Sequence, residues 1–96
     1  MYDVIVIGSG PAGISASIYL KRAQKNVCII SDENSALKKA KKIENYYGVK
    51  SISGEELYNI GVEQAKELEI PMVKDEVTNI SFDKNFIVRT VNNEYE

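Results

Sequence analysis

A short apolar run followed directly by three closely spaced glycines constrains this chain more than any other feature. Residues 4–7 are Val-Ile-Val-Ile, and they precede the hexapeptide Gly8-Ser9-Gly10-Pro11-Ala12-Gly13. Four consecutive β-branched residues are typical of a strand that a parallel sheet buries on both faces. Pro11 suits the first turn of a helix, because the missing N–H of proline needs no partner there. The sequence therefore predicts a strand, a tight turn and a helix in immediate succession.

The following residues extend this pattern to a βαβ unit. Ile14, Ile18 and Leu20 give the predicted helix an apolar face. Residues 27–30, Val-Cys-Ile-Ile, predict a second buried strand. Cys28 in that setting is interpreted as a small core residue and not as a reactive thiol. The predicted fold class is α/β, with a Rossmann-like βαβ unit on a parallel sheet.

The second half of the chain predicts one more helix and then an antiparallel β-meander. Ser53 can cap the helix, and Glu56 stands at the capping-box position three residues later. Apolar residues then recur at helical spacing, which assigns them to the core: Leu57, Ile60, Gly61, Ala65 and Leu68. Pro71 restricts the strand near residues 70–73 to a short or edge strand. Strand-like runs at 77–82 and 86–91, and another strand that begins at Glu94, predict the meander.

Composition excludes several classes of function. The chain has 96 residues, a net charge of -2, one cysteine and no histidine. We therefore expect a single domain with no internal disulfide, no metal site and no catalysis by its own side chains. The absence of a long apolar run or a secretory signal predicts a cytoplasmic protein without a membrane segment. The negative net charge argues against a nucleic-acid partner.

Charge is distributed unevenly along the chain. Residues 1–50 contain eight Lys or Arg and four Asp or Glu, whereas residues 51–96 contain four and ten. Four lysines form a cluster at Lys38, Lys39, Lys41 and Lys42. Short charge runs are usually solvated surface, and that interpretation is favoured here. The alternative is a contact with a phosphate or with an acidic protein partner.

The glycine hexapeptide predicts a binding site for a dinucleotide. Gly8 permits the tight turn, Gly10 lets a diphosphate approach the backbone, and Gly13 allows the helix to pack closely on the strand. Ser9, Pro11 and Ala12 complete the candidate phosphate-binding segment. Residues 11–15 include no acid, so the positive end of the helix dipole is open to an anion.

Such a site also needs an acid after the second strand, where it binds the ribose hydroxyls. That strand ends in Ser31, Asp32 and Glu33. Ser31 occupies the position directly after the strand, and either of the two acids can serve. A solvated loop is the alternative for both, so the residues alone leave the assignment open.

Three segments together resemble a known family. Tyr2-Asp3 with the apolar run and the glycine hexapeptide looks like the FAD-binding start of the two-domain disulfide-reductase flavoproteins. Residues 42–48, Lys-Ile-Glu-Asn-Tyr-Tyr-Gly, and residues 53–57, Ser-Gly-Glu-Glu-Leu, narrow the resemblance to low-molecular-weight thioredoxin reductases. It covers essentially the whole chain.

This resemblance implies a set of cofactor contacts. FAD, and not NAD, is the expected cofactor, and Glu33 is the expected ribose ligand. Asn45 is expected near the flavin and the backbone of Val77 near the adenine, and Leu37 is included among the cofactor-binding residues. The single domain then divides into the βαβ fingerprint at 1–33, a flavin-side loop at 34–52, a helix and strand at 53–75, and the start of the meander at 76–96.

The chain also departs from the family pattern. The family usually has Gly-Gly-Gln where this chain has Asn34-Ser35-Ala36, and a threonine-rich run where this chain has lysines. These changes would fit a divergent relative, such as the ferredoxin-dependent flavin thioredoxin reductases, whose acidic electron donor could use a basic surface. The redox Cys-x-x-Cys pair and the NADPH site of the family lie in a second domain that these residues do not include.

The resemblance therefore predicts the N-terminal portion of a longer, homodimeric flavoprotein. This would be an enzyme that passes electrons through FAD to a thioredoxin-like disulfide substrate, and the 96-residue segment alone would be an inactive, incomplete domain. One alternative is a dinucleotide-binding module without catalysis of its own, either alone or as a subunit. Another is a flavoprotein monooxygenase or dehydrogenase with the same glycine signature.

Overall fold

The computed structural model describes all 96 residues and contains two three-stranded sheets and two α-helices. The elements in chain order are β1 (Val4–Ile7), α1 (Pro11–Arg22), β2 (Val27–Ser31), a short 3-10 helix (Ala36–Lys39), α2 (Gly54–Glu67), β3 (Met72–Lys74), β4 (Val77–Asp83), β5 (Asn85–Thr90) and β6 (Glu94–Tyr95). The predicted α/β class, with a parallel βαβ sheet and an antiparallel meander, is confirmed. No helix has the length and apolar character that crossing a membrane requires.

The first sheet has the strand order β1-β2-β3, and all of its strands are parallel. Val4 pairs with Val27 at one end of the β1–β2 ladder, and Ile7 pairs with Ile30 at the other. All five residues of the central strand β2 are buried. Strand β3 has three residues and lies at an edge, as Pro71 predicts.

Strand β1 is not buried on both faces, so that prediction is wrong. Its first three residues are partly buried, and Ile7 is 48% exposed. The physical reason is its position in this sheet, because β1 pairs with β2 on one side and has no strand on the other. A groove of about 600 Å³ runs between β1 and the β4–β5 hairpin, and apolar side chains such as Ile80, Phe82 and Phe86 line it.

Two apolar clusters lie on opposite faces of β2. Helices α1 and α2 cover one face, where the buried residues are Ile14, Val27, Ile29, Ala65 and Ile70. On the other face, Cys28 and Ile30 pack against Val88 of the meander. Alternate residues of a strand point to opposite faces, so β2 supplies both clusters. The interpretation of Cys28 as a core residue is confirmed, and burial raises the pKa of its thiol, which favours the protonated form.

The second helix begins where its cap predicts. The Ser53 Oγ accepts a hydrogen bond from the Glu56 N–H at 3.1 Å and donates to the Glu56 carboxylate at 3.2 Å. The predicted apolar stripe is only partly correct, since Ile60 is 45% exposed while Tyr58 and Ala65 are buried. The helix is rotated so that Tyr58, and not Ile60, points inward.

Asp75 connects the two sheets. It follows β3 and is buried, and its N–H donates to the Ser31 carbonyl at 3.0 Å. Its carboxylate accepts hydrogen bonds from the Thr90 hydroxyl at 2.7 Å, the Glu76 N–H at 2.8 Å and the Asn92 amide at 3.2 Å. These donors, the Thr90 hydroxyl foremost, hold the pKa of Asp75 below its ordinary value. The charged form of Asp75 therefore stabilises the junction between the sheets.

We predict that Asp75 contributes a pH-dependent part of the folding stability. A carboxylate with a lowered folded-state pKa contributes stability above its unfolded pKa of about 3.9, and this is lost as the pH falls through the folded value. Asp75→Asn should therefore lower the free energy of unfolding at pH 7, and the deficit should shrink below about pH 4. Urea unfolding of the variant and the wild type, at pH 7 and at pH values down to below about 4, measures this difference in the free energy of unfolding. Asp83→Asn, an exposed control in β4, should change little, and a deficit for Asp75→Asn that stays constant with pH would contradict this role.

Candidate functional site

The glycine turn between β1 and α1 forms the centre of the site. Gly8 has a φ of +107°, a left-handed conformation that favours glycine, and its N–H donates to the Ile30 carbonyl at 2.9 Å. A Cβ on Gly13 would collide with the Gly8 carbonyl oxygen and lie 3.3 Å from Val6 Cγ1. These two glycines therefore have the turn and close-packing roles that the motif predicts.

Gly10 differs from the other two glycines because the protein leaves space beside it. Its backbone is extended, with φ -71° and ψ -176°, which any residue can adopt. A Cβ built there would meet only the Ser35 Oγ, at the ordinary contact distance of 3.5 Å. The fold itself does not require glycine at this position. A requirement for glycine would therefore come from a ligand approaching the backbone.

The first turn of α1 faces the same space and carries no negative charge. Gly10 is the N-cap residue and supplies no side-chain cap, Pro11 follows it, and the first turn contains no acid. The N–H groups of a first helical turn have no partner within the helix, and the helix dipole makes them attractive to an anion. This helix end can therefore accept a phosphate group.

Three buried hydroxyl groups lie behind the turn. The Ser9 Oγ is 2.8 Å from the Ser31 Oγ and 2.7 Å from the Tyr58 hydroxyl oxygen, and all three residues are buried. This hydroxyl trio connects the turn, the end of β2 and α2. Tyr58 is not among the site residues predicted from the sequence, although it lies seven residues before Ala65 and so shares its helix face. A tyrosine on a core-facing stripe needs a partner for its hydroxyl, and that requirement was the available signal.

The residues predicted to bind the ribose and adenine meet only in part. A cavity of about 280 Å³ lies at the carboxyl ends of β1 and β2, and Gly8, Ser31, Asp32 and Val77 all line it. Glu33 does not line this cavity, and its carboxylate lies 3.4 Å from the Lys74 ammonium group. The structure thus brings four of the predicted residues together and gives Glu33 an ionic partner.

Asp32 and Glu33 sit in a loop with a specific backbone geometry. The Asp32 carboxylate accepts the Asn34 N–H at 2.8 Å, and the Glu33 N–H donates to the Ser31 Oγ at 2.9 Å. Glu33 has a φ of +65°, which is uncommon for a residue other than glycine. The two hydrogen bonds hold the loop in this conformation.

The remaining predicted residues divide between a second cavity and the surface. A cavity of about 260 Å³ is lined by Ser9, Gly10, Pro11 and Leu37, which places Leu37 next to the glycine turn. Tyr46, Val49 and residues of α2 complete its wall. Asn45 is exposed and lines neither cavity, and Ala12 is exposed on the first turn of α1.

The lysine cluster is exposed, as the solvated-surface interpretation expects, but its members have different partners. The Lys38 ammonium group lies 4.3 Å from the centroid of the Tyr58 ring. Lys42 forms an ion pair with Glu44 at 3.5 Å. Lys39 and Lys41 are exposed and form no ion pair. Two of the four charges therefore remain available to a partner.

Comparison with known proteins assigns a family to this arrangement. The family model described as pyridine nucleotide-disulphide oxidoreductase matches residues 2–96. A thioredoxin reductase from Ureaplasma parvum is 35% identical over 88 residues, which are 90% of this chain and 28% of that protein. The crystal structure of the Lactococcus lactis thioredoxin reductase, in its FR conformation, superimposes with a TM-score of 0.93 at 30% identity, over 99% of this chain and 32% of that one.

A second solved structure is also similar to this chain. The crystal structure of a ferredoxin-flavin thioredoxin reductase from Clostridium acetobutylicum superimposes with a TM-score of 0.83 at 33% identity, over 98% of this chain and 34% of that one. The chain thus spans about a third of the length of the proteins that it matches. The matched family binds FAD. The chain belongs to the pyridine nucleotide-disulphide oxidoreductase family and is similar to the N-terminal, FAD-binding part of the low-molecular-weight thioredoxin reductases.

Proposed function

We propose that this chain binds FAD as part of a flavoprotein oxidoreductase that passes electrons to a thioredoxin-like disulfide substrate. The observation that carries the proposal is the space beside Gly10 at the acid-free start of α1. The names of its relatives support the substrate class. We further propose a cytoplasmic homodimer whose nicotinamide site and redox cysteines lie outside these residues.

Different residues of the chain would contact the diphosphate, the ribose, the adenine and the flavin of the cofactor. The diphosphate would lie at Gly10 and the first turn of α1, where backbone N–H groups and the helix dipole compensate its charge. The ribose would lie at the Ser31 to Glu33 loop, and the adenine near Val77. Leu37 and Asn45 would lie toward the flavin. Bound FAD supplies the electron-transfer chemistry, and the protein contributes binding and orientation.

Either Asp32 or Glu33 would bind the ribose hydroxyls. Glu33 is favoured by resemblance to the family, and Asp32 by its place in the wall of the cavity. The Glu33 carboxylate is paired with Lys74, but both side chains are substantially exposed. An exposed pair of this kind contributes only about 0–1 kcal/mol, so it does not prevent Glu33 from turning to a ligand.

The main test of this proposal is Gly10→Ala. We predict that the full-length protein purifies yellow with bound FAD, and that this substitution weakens FAD binding about tenfold or more, because the added methyl group occupies the approach of the diphosphate. Fluorescence titration of the apoprotein with FAD measures the affinity. The free energy of unfolding of the apoprotein should not change, since the methyl group meets only Ser35 at a normal distance.

Gly13→Ala provides the contrasting variant. Its methyl group would collide with the Gly8 carbonyl, so this substitution should destabilise the apoprotein itself. Full FAD affinity in Gly10→Ala would place the diphosphate elsewhere. Destabilisation of both variants alike would mean that Gly10 is needed for folding and not for binding.

The two acids are distinguished by separate substitutions. We predict that Glu33→Ala weakens FAD binding by about 1–3 kcal/mol, the range for a lost charge-assisted hydrogen bond, and that Asp32→Ala weakens it less. Lys74→Met is the matched control, because it removes the ionic partner of Glu33 and leaves both acids in place. The same titration measures all three. A larger loss for Asp32→Ala would assign the ribose to Asp32.

A second candidate function is a reductase that accepts electrons from an acidic protein donor such as ferredoxin. The similarity to the ferredoxin-flavin enzyme of Clostridium acetobutylicum favours it, together with the unpaired charges of Lys39 and Lys41. A downstream Cys-x-x-Cys without a nicotinamide-binding motif in the coding sequence would support this candidate. A coding sequence without any redox domain would support the binding module that has no catalysis of its own.

The donor is tested by charge reversal at the two unpaired lysines. We predict that Lys39→Glu with Lys41→Glu slows reduction of the flavin by an acidic donor protein and reduces the salt dependence of the association rate. Stopped-flow measurement of flavin absorbance at several ionic strengths gives both quantities. Lys84→Glu, an exposed change in the β4–β5 turn, is the control. Unchanged kinetics in the double variant would show that the cluster is only solvated surface.

A further inference from the structure

The hydroxyl trio of Ser9, Ser31 and Tyr58 contains more donors than it can use internally. Each hydroxyl group carries one proton, and the trio forms two hydrogen bonds. Whatever the direction of these bonds, one proton is left to donate to a partner outside the trio. The Ser31 Oγ additionally accepts a hydrogen bond from the Glu33 N–H, so one backbone donor already engages that end of the trio.

The charge of Lys38 favours one direction along the trio. Its ammonium group lies 4.3 Å from the centroid of the Tyr58 ring. A positive charge over the ring makes the phenol a better donor and a poorer acceptor. With Tyr58 donating to Ser9, the proton of the buried Ser9 hydroxyl has the Ser31 Oγ as its hydrogen-bond partner. Ser9 therefore donates to Ser31, and the unused proton is on the Ser31 Oγ. Ser31 lines the cavity at the carboxyl ends of β1 and β2, whose wall also includes Gly8, Asp32 and Val77.

We propose that Tyr58 is a positioning residue that acts through Ser9 and directs the Ser31 hydroxyl to donate to a ribose oxygen of the bound nucleotide. This inference rests on the proposed function, which places the adenosine half of FAD in that cavity. A ribose hydroxyl both donates and accepts. Asp32 or Glu33 would accept its proton, and Ser31 would donate to its oxygen, so the two interactions complement each other.

The test compares Tyr58→Phe with the wild-type protein. Phenylalanine keeps the ring under Lys38 and removes only the hydroxyl group. We expect the affinity of the full-length apoprotein for FAD to fall about three- to tenfold, the range for one neutral hydrogen bond. Ser31→Ala should cause a similar loss, and the double variant should lose little more, because both act along one chain of hydrogen bonds. Tyr19→Phe, a change at a tyrosine that is 77% exposed, is the matched control.

Two ligands distinguish a positioning role of Tyr58 from a merely structural one. ADP and an ADP analogue that lacks both ribose hydroxyls are compared as competitors of FAD. We expect Tyr58→Phe to weaken ADP binding and to leave binding of the analogue unchanged. Lys38→Met, at an exposed residue, should weaken ADP binding relative to analogue binding in the same way but to a smaller extent. This variant tests the direction of the hydrogen bonds in the trio without altering the core.

The outcomes distinguish this inference from the function on which it rests. A wild-type protein that binds neither FAD nor ADP would overturn both. If the wild type binds both ligands, three results would overturn the role of Tyr58 and leave the proposed function intact. These are equal losses for ADP and the analogue in Tyr58→Phe, additive losses in the double variant, and no loss at all.

Discussion

The contact between Gly13 and the carbonyl group of Gly8 determines where α1 begins relative to the parallel sheet. No side chain fits between these two backbone segments, so the first turn of the helix lies directly against the end of β1. The same turn brings Gly8 to Ile30 of β2 through a backbone hydrogen bond. The helix dipole, the carboxyl ends of two strands and the cavity between them therefore meet at one place, which is where open α/β sheets bind their ligands.

Buried polar groups then attach the outer elements to this centre. Tyr58 links α2 to the turn through Ser9, and Asp75 links the meander to the end of β2 through Ser31. Buried hydrogen-bonded groups of this kind are costly when left unpaired, so each link favours one arrangement of its elements. Ser31 takes part in both links through its side chain and its backbone. The end of β2 is thus the point at which both helices and the meander are held in register.

The local features of this fold could be predicted from the sequence, because they depend on neighbouring residues. The glycine turn, the Ser53 cap and the limit that Pro71 sets on β3 all follow from backbone geometry within a few positions. Features that depend on residues far apart in the sequence could not be predicted. The exposure of Ile7 reflects the position of β1 at the edge of its sheet, and the inward turn of Tyr58 reflects the position of Ser9, which is 49 residues away in the chain. For the same reason, no local pattern indicated that Lys74 would pair with Glu33.

The most direct measurement is a crystal structure of the full-length protein with FAD. We predict that the diphosphate contacts the backbone at Gly10 and the first turn of α1, and that a ribose oxygen lies within hydrogen-bond distance of the Ser31 Oγ. A diphosphate bound elsewhere, for example in the apolar groove between β1 and the meander, would contradict the account.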